Sequence, residues 1–151
     1  MKKLLFAAAL AAAGVAYWRH GSAPVAAQDS HLAFDRIWID HMPRNERDIV
    51  QIFAALDDSS FGIFDAVSQW TGAYEIFQFE ANGGDVRAVY PQTGKKEKFT
   101  LDAKACDVRG FDYCLEIKGS DHGVKRYYSQ EDWIIDGQAS ADARIHAILG
   151  R

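Results

Sequence analysis

From residue 34 onward, short hydrophobic or alternating runs are separated by turn signals such as Asn82-Gly83 and Thr93-Gly94. Strands at this spacing with turns between them predict an antiparallel all-β fold. Asn82-Gly83 is the clearest hairpin signal, because both residue types tolerate positive φ. We predict a mainly β protein of about eight strands, either an up-and-down β-barrel or a strongly curved meander sheet. The runs cover 34–42, 49–56, 62–70, 73–80, 86–90, 97–105, 111–118, 124–129 and, less clearly, 133–135.

Two of these runs alternate cleanly between apolar and polar residues. In 99–104 and in 111–118 the odd positions are mostly apolar and the even positions mostly polar, which indicates one buried and one wet face. Cys106 and Cys114 have even numbers, so both thiols fall on the solvent face of neighbouring strands. We therefore predict a cross-strand disulfide between them.

Run 49–56 fits two structures. Ile49, Ile52, Phe53 and Leu56 have the spacing of an amphipathic helix that Asn45 could cap. The run is also rich in β-branched residues and flanked by turn residues, which favours a strand. We prefer the strand, and the helix would make the protein α+β.

A short C-terminal helix is predicted over 140–149. Ser140 can cap its first turn, and Ile145, Ile148 and Leu149 form an apolar stripe before Gly150. We expect the helix to pack on the sheet; the alternative is that it covers an open end of a barrel.

The first residues have the pattern of a targeting segment. A positive start at Lys2-Lys3 precedes an apolar run, and Val25 and Ala27 suit a signal-peptidase site before Gln28. We predict a signal peptide over 1–27 and a single β domain over 28–151. The alternative is an uncleaved anchor, although the apolar run is shorter than the roughly 20 residues of a spanning helix. Either way the domain is exported, to the periplasm or the medium, and after cleavage it has no stable membrane insertion.

Composition and charge narrow the class of protein. The chain is 48% hydrophobic and 25% charged, as folded globular domains are. Its formal charge is −4; loss of residues 1–27 removes Lys2, Lys3 and Arg19 but no acid, which leaves 14 cations against 21 acids and a charge of −7. This balance argues against nucleic acid as a partner.

No established catalytic or metal-binding motif is present. The sequence has no Gly-rich phosphate loop, no GxSxG elbow and no paired-histidine zinc motif. Asp40 and His41 are expected on opposite faces of a strand, and His122 is read as a solvated turn residue beside Asp121. We therefore predict no metal, no cofactor and no enzyme activity. The histidines beyond residue 27 are His31, His41, His122 and His146.

Basic residues cluster at Lys95-Lys96-Glu97-Lys98, directly after a turn signal. A solvated hairpin tip, with lysines that discourage edge pairing, is the simpler interpretation. The alternative is a docking point for an anionic partner.

The sequence of run 124–129 does not decide which of its two faces points into the barrel. If Val124 and Tyr128 point inward, so does Arg126, whose guanidinium would need a carboxylate or an aromatic face. The opposite parity buries Tyr127 and leaves Arg126 on the surface.

Consecutive antiparallel strands, a short C-terminal helix and export resemble the lipocalin-like, or calycin, barrels. In that family an arginine on the last strand covers a tryptophan on the first, and Arg126 and Trp38 could take those parts. The family's Gly-x-Trp signature is absent, since Trp38 follows Arg36-Ile37. The resemblance implies an interior cavity for a small apolar ligand.

The expected function is therefore that of a binding module. A small hydrophobic ligand would be buried in the barrel, with Arg126 or Glu75 fixing a polar end. The alternative is an envelope interaction or structural protein with a filled core, a working outer surface and a protein partner. The predicted ligand-binding residues are Trp38, Trp70, Tyr74, Glu75, Arg126 and Tyr128.

Overall fold

The computed structural model describes residues 30–150, which form a closed antiparallel barrel of eight strands and one C-terminal helix. Each strand pairs with the next along the chain, and β8 pairs back with β1, which confirms the predicted fold. The predicted signal peptide, 1–27, lies outside the described residues. A 3-10 helix, Ser30–Ala33, precedes the strands. The elements are β1 Trp38–Ile39, β2 Val50–Leu56, β3 Phe61–Val67, β4 Gly72–Asn82, β5 Asp85–Val89, β6 Lys96–Val108, β7 Phe111–Lys118, β8 Arg126–Ser129 and α1 Gln138–Leu149.

Aromatic side chains fill the lumen. The ring of Phe77 lies 5.4–6.3 Å, between centroids, from five other inward rings. Gly62 is required on the neighbouring strand, because a Cβ there would lie 2.1 Å from Phe77 Cζ. An eight-stranded barrel can be filled in this way by its own side chains. The largest lumen residues are Trp38, Phe53, Phe64, Phe77, Phe79, Tyr90, Phe99, Leu101, Leu115, Ile117 and Tyr127.

A second apolar cluster lies on the outer wall, beneath α1. Val50 and Ile52 of β2 point outward into this cluster, whereas Phe53 and Ala55 point into the lumen. Strand β2 is thus covered on both faces, which is why its sequence also fits a helical spacing. The strand interpretation of 49–56 is confirmed.

Helix α1 packs on the outer wall through Ile148 and Leu149, as predicted, and does not cover a barrel end. It begins at Gln138, two residues before the predicted start, and Gly137 occupies the N-cap. The prediction that Ser140 caps it is wrong, because the Ser140 hydroxyl donates to the Gly137 carbonyl from inside the first turn. Within residues 30–150 no helix is long and apolar enough to cross a bilayer.

The two barrel ends are closed differently. We call the end with the β2–β3, β4–β5 and β6–β7 hairpins the base, and the end with the β5–β6 and β7–β8 loops the mouth. At the base the 3-10 helix plugs the barrel: Trp38 Nε1 donates to the Ala33 carbonyl at 3.0 Å, and Phe34 stacks on Phe79. The predicted hairpin joins β4 to β5, with Gly83 and Gly84 at its centre because Asn82 pairs with Asp85.

The predicted disulfide is present. Cys106 of β6 is bonded to Cys114 of β7, with their Cα atoms 5.7 Å apart. The two strands are neighbours, and their register shifts between Ala105 and Val108, next to Cys106. The bond therefore ties together the hairpin whose turn lies at the base.

Candidate functional site

Three polar side chains point into the mouth of the barrel from its wall. Glu75 of β4 has the parity of Phe77 and Phe79, and Glu97 of β6 has the parity of Phe99 and Leu101. Tyr90, just beyond β5, continues the inward series of Val86 and Ala88. The alternation that builds the apolar lumen therefore also carries two carboxylates and a phenol to one end of it.

Glu97 is buried and fully engaged, with a side chain only 6% exposed. It accepts hydrogen bonds from the Tyr90 hydroxyl at 2.6 Å, the Asp121 N–H at 2.6 Å and the Ser120 hydroxyl at 3.3 Å. Burial by itself would raise the pKa of Glu97, but these donors and His122 outweigh it and lower that pKa below its ordinary value. Burial and the neighbouring carboxylate raise the pKa of Tyr90 far above the ordinary value, so its phenol stays a donor.

His122 lies between the two carboxylates. Its Nδ1 is 3.1 Å from Glu97 Oε2, and its Nε2 is 3.0 Å from Glu75 Oε2. The imidazole stacks on Tyr90, with ring centroids 4.2 Å apart, and its centroid is 6.0 Å from that of Phe64. Its side chain is 18% exposed, so the prediction that His122 is a solvated turn residue is wrong.

The loop that carries His122, Gly119 to Lys125, covers the mouth. Gly123 has φ +65°, and a Cβ there would lie 2.1 Å from the Tyr127 hydroxyl, so both its conformation and its space require glycine. The Tyr127 hydroxyl accepts the Val124 N–H at 3.0 Å, and burial raises the pKa of Tyr127 to about 12. Together with the bonds to Glu97, these contacts hold the loop by polar interactions.

The arrangement is suited to binding rather than to metal ligation. The carboxylates face opposite nitrogens of one imidazole, so the three groups do not converge on one point, and residues 30–150 contain no metal-binding group of three or more His, Cys, Asp or Glu. At the rim, Lys95 pairs with Asp121 at 3.0 Å. The site thus presents negative charge and an aromatic face inside a low-dielectric mouth.

The six predicted ligand-binding residues do not come together. Trp38 lies deep in the lumen near the base, and Glu75 lies at the mouth. Trp70 and Tyr74 are 73% and 63% exposed on the outside. Tyr128 stacks on Phe111 in the outer cluster.

Strand β8 adopts the second of its two parities. Tyr127 is buried in the lumen, and Arg126 is exposed opposite Glu116. The buried arginine is instead Arg36, which lies 4.4 Å above the centre of the Tyr113 ring and donates to the carbonyls of Gln130 and Glu131. Desolvation lowers the pKa of Arg36. The pairing of Trp38 with Arg126 that the family resemblance implied is not present.

Sequence reasoning missed Tyr90, Glu97 and His122. Glu97 was detectable, because it continues the odd-numbered inward series of its own strand. Tyr90 likewise extends the series of Val86 and Ala88. No local signal marks His122, since its partners come from β4, β6 and the end of β5.

A second histidine also contacts two acids, and it corrects another expectation. His41 Nδ1 is 2.9 Å from Asp40 and its Nε2 is 3.2 Å from Asp48, so Asp40 and His41 do not point apart. Strand β1 ends at Ile39, and both residues belong to the loop that follows. Asp48 also accepts the Arg44 N–H, so these contacts organise that loop.

A groove of about 580 Å³ runs over the outer face of β3–β6. Phe61 and Val89 supply exposed apolar surface, and Arg87, Lys96 and Lys98 supply charge. Arg87 pairs in register with Lys98, and Val89 with Lys96, so the cations lie side by side. Lys96 and Lys98 belong to the basic cluster that the sequence singled out.

No family model matches the chain, and no match to it is found among the curated proteins or the solved structures. A closed eight-stranded barrel is a class of fold, and it does not by itself place the chain in the lipocalin-like family.

Proposed function

We propose that the protein is a lipocalin-like, non-enzymatic binding module that takes a small, largely apolar molecule at the mouth of its barrel. The β7–β8 loop lies over this site and would move aside for the ligand. The observation that carries the proposal is the buried Glu97 at the mouth, whose partners Ser120, Asp121 and His122 all come from that one loop.

A barrel that only needs a filled core gains little from a buried carboxylate at its end. Burying such a charge is costly unless hydrogen bonds compensate, and here one loop supplies most of them. An apolar interior with a few convergent polar groups is the usual form of a small-molecule site. The aromatic surface of Phe64, Tyr90 and Phe99 would receive the ligand's apolar part.

An exported setting completes the proposal. The Cys106–Cys114 bond is of the kind that persists in oxidising compartments, which supports a periplasmic or secreted protein.

The test is a titration of toluene into the wild type and two glycine variants, with amide chemical shifts as the readout. Gly123→Ala should open the mouth, because its Cβ would collide with Tyr127 and Phe64. Gly94→Ala is the matched control, since Gly94 also has positive φ but nothing lies within 4 Å of its Cβ. We expect shifts around Phe64 and Tyr90, larger for Gly123→Ala than for the control. Absence of toluene-dependent shifts in all three proteins would overturn the proposal.

A second candidate function is favoured by the groove on β3–β6. Three adjacent cations, Arg87, Lys96 and Lys98, have no ion pair within residues 30–150, on a chain of net charge −4. Two acids line the groove: Glu80, beside Arg87 in register, and Glu97, whose carboxylate is already held at the mouth. Charge complementarity therefore favours an extended acidic segment of a protein partner, with apolar residues over Phe61 and Val89.

A peptide of alternating Glu and Val, with its Lys-Val counterpart as control, tests this candidate by calorimetry at low and high salt. We expect binding of the acidic peptide only, weakened by salt and abolished in Lys96→Glu/Lys98→Glu. Lys104→Glu, on the same strand outside the groove, is the control and should bind as the wild type does. Equal binding of both peptides would exclude the candidate.

A further inference from the structure

The place that His122 occupies has the chemistry of a ligand site. The imidazole belongs to the β7–β8 loop, whereas its aromatic and carboxylate partners belong to the wall: Tyr90 beneath its face and Glu75 and Glu97 at its two nitrogens. Removal of the loop would leave an aromatic face between two carboxylates. The histidine side chain thus acts as an intramolecular occupant of this place.

The wall groups specify what else could occupy the same place. An aromatic face 4.2 Å from the imidazole centroid accepts a flat ring, and an electron-rich phenol attracts a cation above it. The carboxylates, on opposite sides, accept N–H donors and favour positive charge. An anion would meet two like charges without compensation, since Lys95 at the rim is already paired with Asp121.

We infer that the ligand is a small arylalkylamine or other cation that carries a flat ring, which takes the place of the His122 imidazole between Glu75 and Glu97 and stacks on Tyr90. This inference rests on the proposed function and names its ligand class. Glu75 would be the more accessible partner, because its side chain is 46% exposed, and Glu97 the deeper one.

Competition between the loop and the ligand follows from this geometry. In the closed protein the imidazole holds the site, so a ligand must displace it and the observed affinity is reduced by the population of the closed state. A variant without the imidazole should therefore bind more tightly than the wild type. A purely structural histidine would produce no such gain.

The experiment uses three probes with the same ring and different charge: benzylamine, toluene and benzoate. Each is titrated into the wild type and His122→Ala by calorimetry and amide chemical shifts. We expect benzylamine to bind His122→Ala about tenfold more tightly than it binds the wild type. In His122→Ala, benzylamine should also bind about tenfold more tightly than toluene, and this second factor corresponds to one charge-assisted contact. Benzoate should not bind. His146→Ala, an exposed histidine on α1, is the control and should behave as the wild type.

Glu75→Gln in the His122→Ala background distinguishes the effect of the carboxylate charge from the effect of the space that the imidazole leaves. It should weaken the preference for benzylamine, since only the Glu97 carboxylate remains, and leave toluene binding unchanged. If His122→Ala does not fold, judged by near-ultraviolet circular dichroism, His122→Gln removes the ring and gives the same comparison.

The outcomes distinguish this inference from the proposed function. Toluene binding without a benzylamine preference, or benzoate binding as well as benzylamine does, overturns the ligand class and leaves the proposed function standing. If toluene binds none of these proteins, both fall, because the inference rests on the proposed function.

Discussion

The two ends of the barrel close it by opposite means. At the base, the 3-10 helix and Phe34 fill the opening, and the Trp38 indole is anchored to the Ala33 carbonyl. At the mouth, the β7–β8 loop is held by polar contacts: the Asp121 N–H donates to Glu97, and the His122 ring nitrogens lie 3.1 Å from Glu97 and 3.0 Å from Glu75. Burial of a large apolar side chain contributes about 1.5–3 kcal/mol, whereas a net hydrogen bond contributes about 1 kcal/mol. We therefore expect the mouth to open more readily than the base.

The largest expected effect comes from breaking the base. Trp38→Ala removes a fully buried side chain from the lumen and should lower the free energy of unfolding by about 3–5 kcal/mol. Urea unfolding followed by far-ultraviolet circular dichroism measures the change. Trp70→Ala, at an exposed tryptophan, is the control and should stay within about 0.5 kcal/mol of the wild type. Similar losses for the two variants would contradict a base that depends on burial.

The next largest loss of stability is expected from removal of the disulfide bond in the β6–β7 hairpin, whose turn lies at the base. Replacement of Cys106 and Cys114 by serine should lower the free energy of unfolding by about 2–3 kcal/mol, because the unfolded chain regains the freedom of the loop between them. Urea unfolding with and without reductant checks this. Reductant should destabilise the wild type but not the variant, and an unchanged wild-type midpoint would count against the prediction.

A smaller effect is expected at the mouth. Glu97→Gln should lower the free energy of unfolding by about 1–2 kcal/mol, since it removes the charge that accepts the hydrogen bonds of the β7–β8 loop. Hydrogen exchange should speed up at the Asp121 amide and stay unchanged at the Trp38 indole N–H. The exposed Glu80→Gln is the matched control. Faster exchange at both sites would mean that the two ends open together.

Acid should produce the smallest and most selective change. The pKa of Glu97 is lowered in the folded protein, so its charge contributes stability above its ordinary value of 4.5, and that contribution is lost as the pH falls through the lowered value. As the pH falls, the Asp121 amide at the mouth should therefore lose its protection against hydrogen exchange before the Trp38 indole N–H at the base of the barrel does. An acid-dependent change that persists in Glu97→Gln would show that another group controls it.

The sequence by itself determined the repeating part of the structure. Period-two alternation places every second residue on one face, so Phe99, Leu101, Leu115 and Ile117 identified the lumen, and the shared parity of Cys106 and Cys114 predicted their bond. The same alternation predicts that Glu97 points inward, but its neighbours Lys96 and Lys98 led to the interpretation of this segment as a solvated basic cluster. These features follow from local chain geometry, which needs no knowledge of the partner strands.

Only the tertiary structure decided the phase of β8 and the composition of the site. Arg126 or Tyr127 could each face inward on local grounds, and pairing with β7 selected Tyr127. Glu75, Tyr90, Glu97 and His122 converge because barrel closure brings β4, β5, β6 and the β7–β8 loop to one end. Alternation specifies which way a residue points relative to its neighbours in the chain. The strands that it meets depend on register and closure, which are properties of the whole barrel.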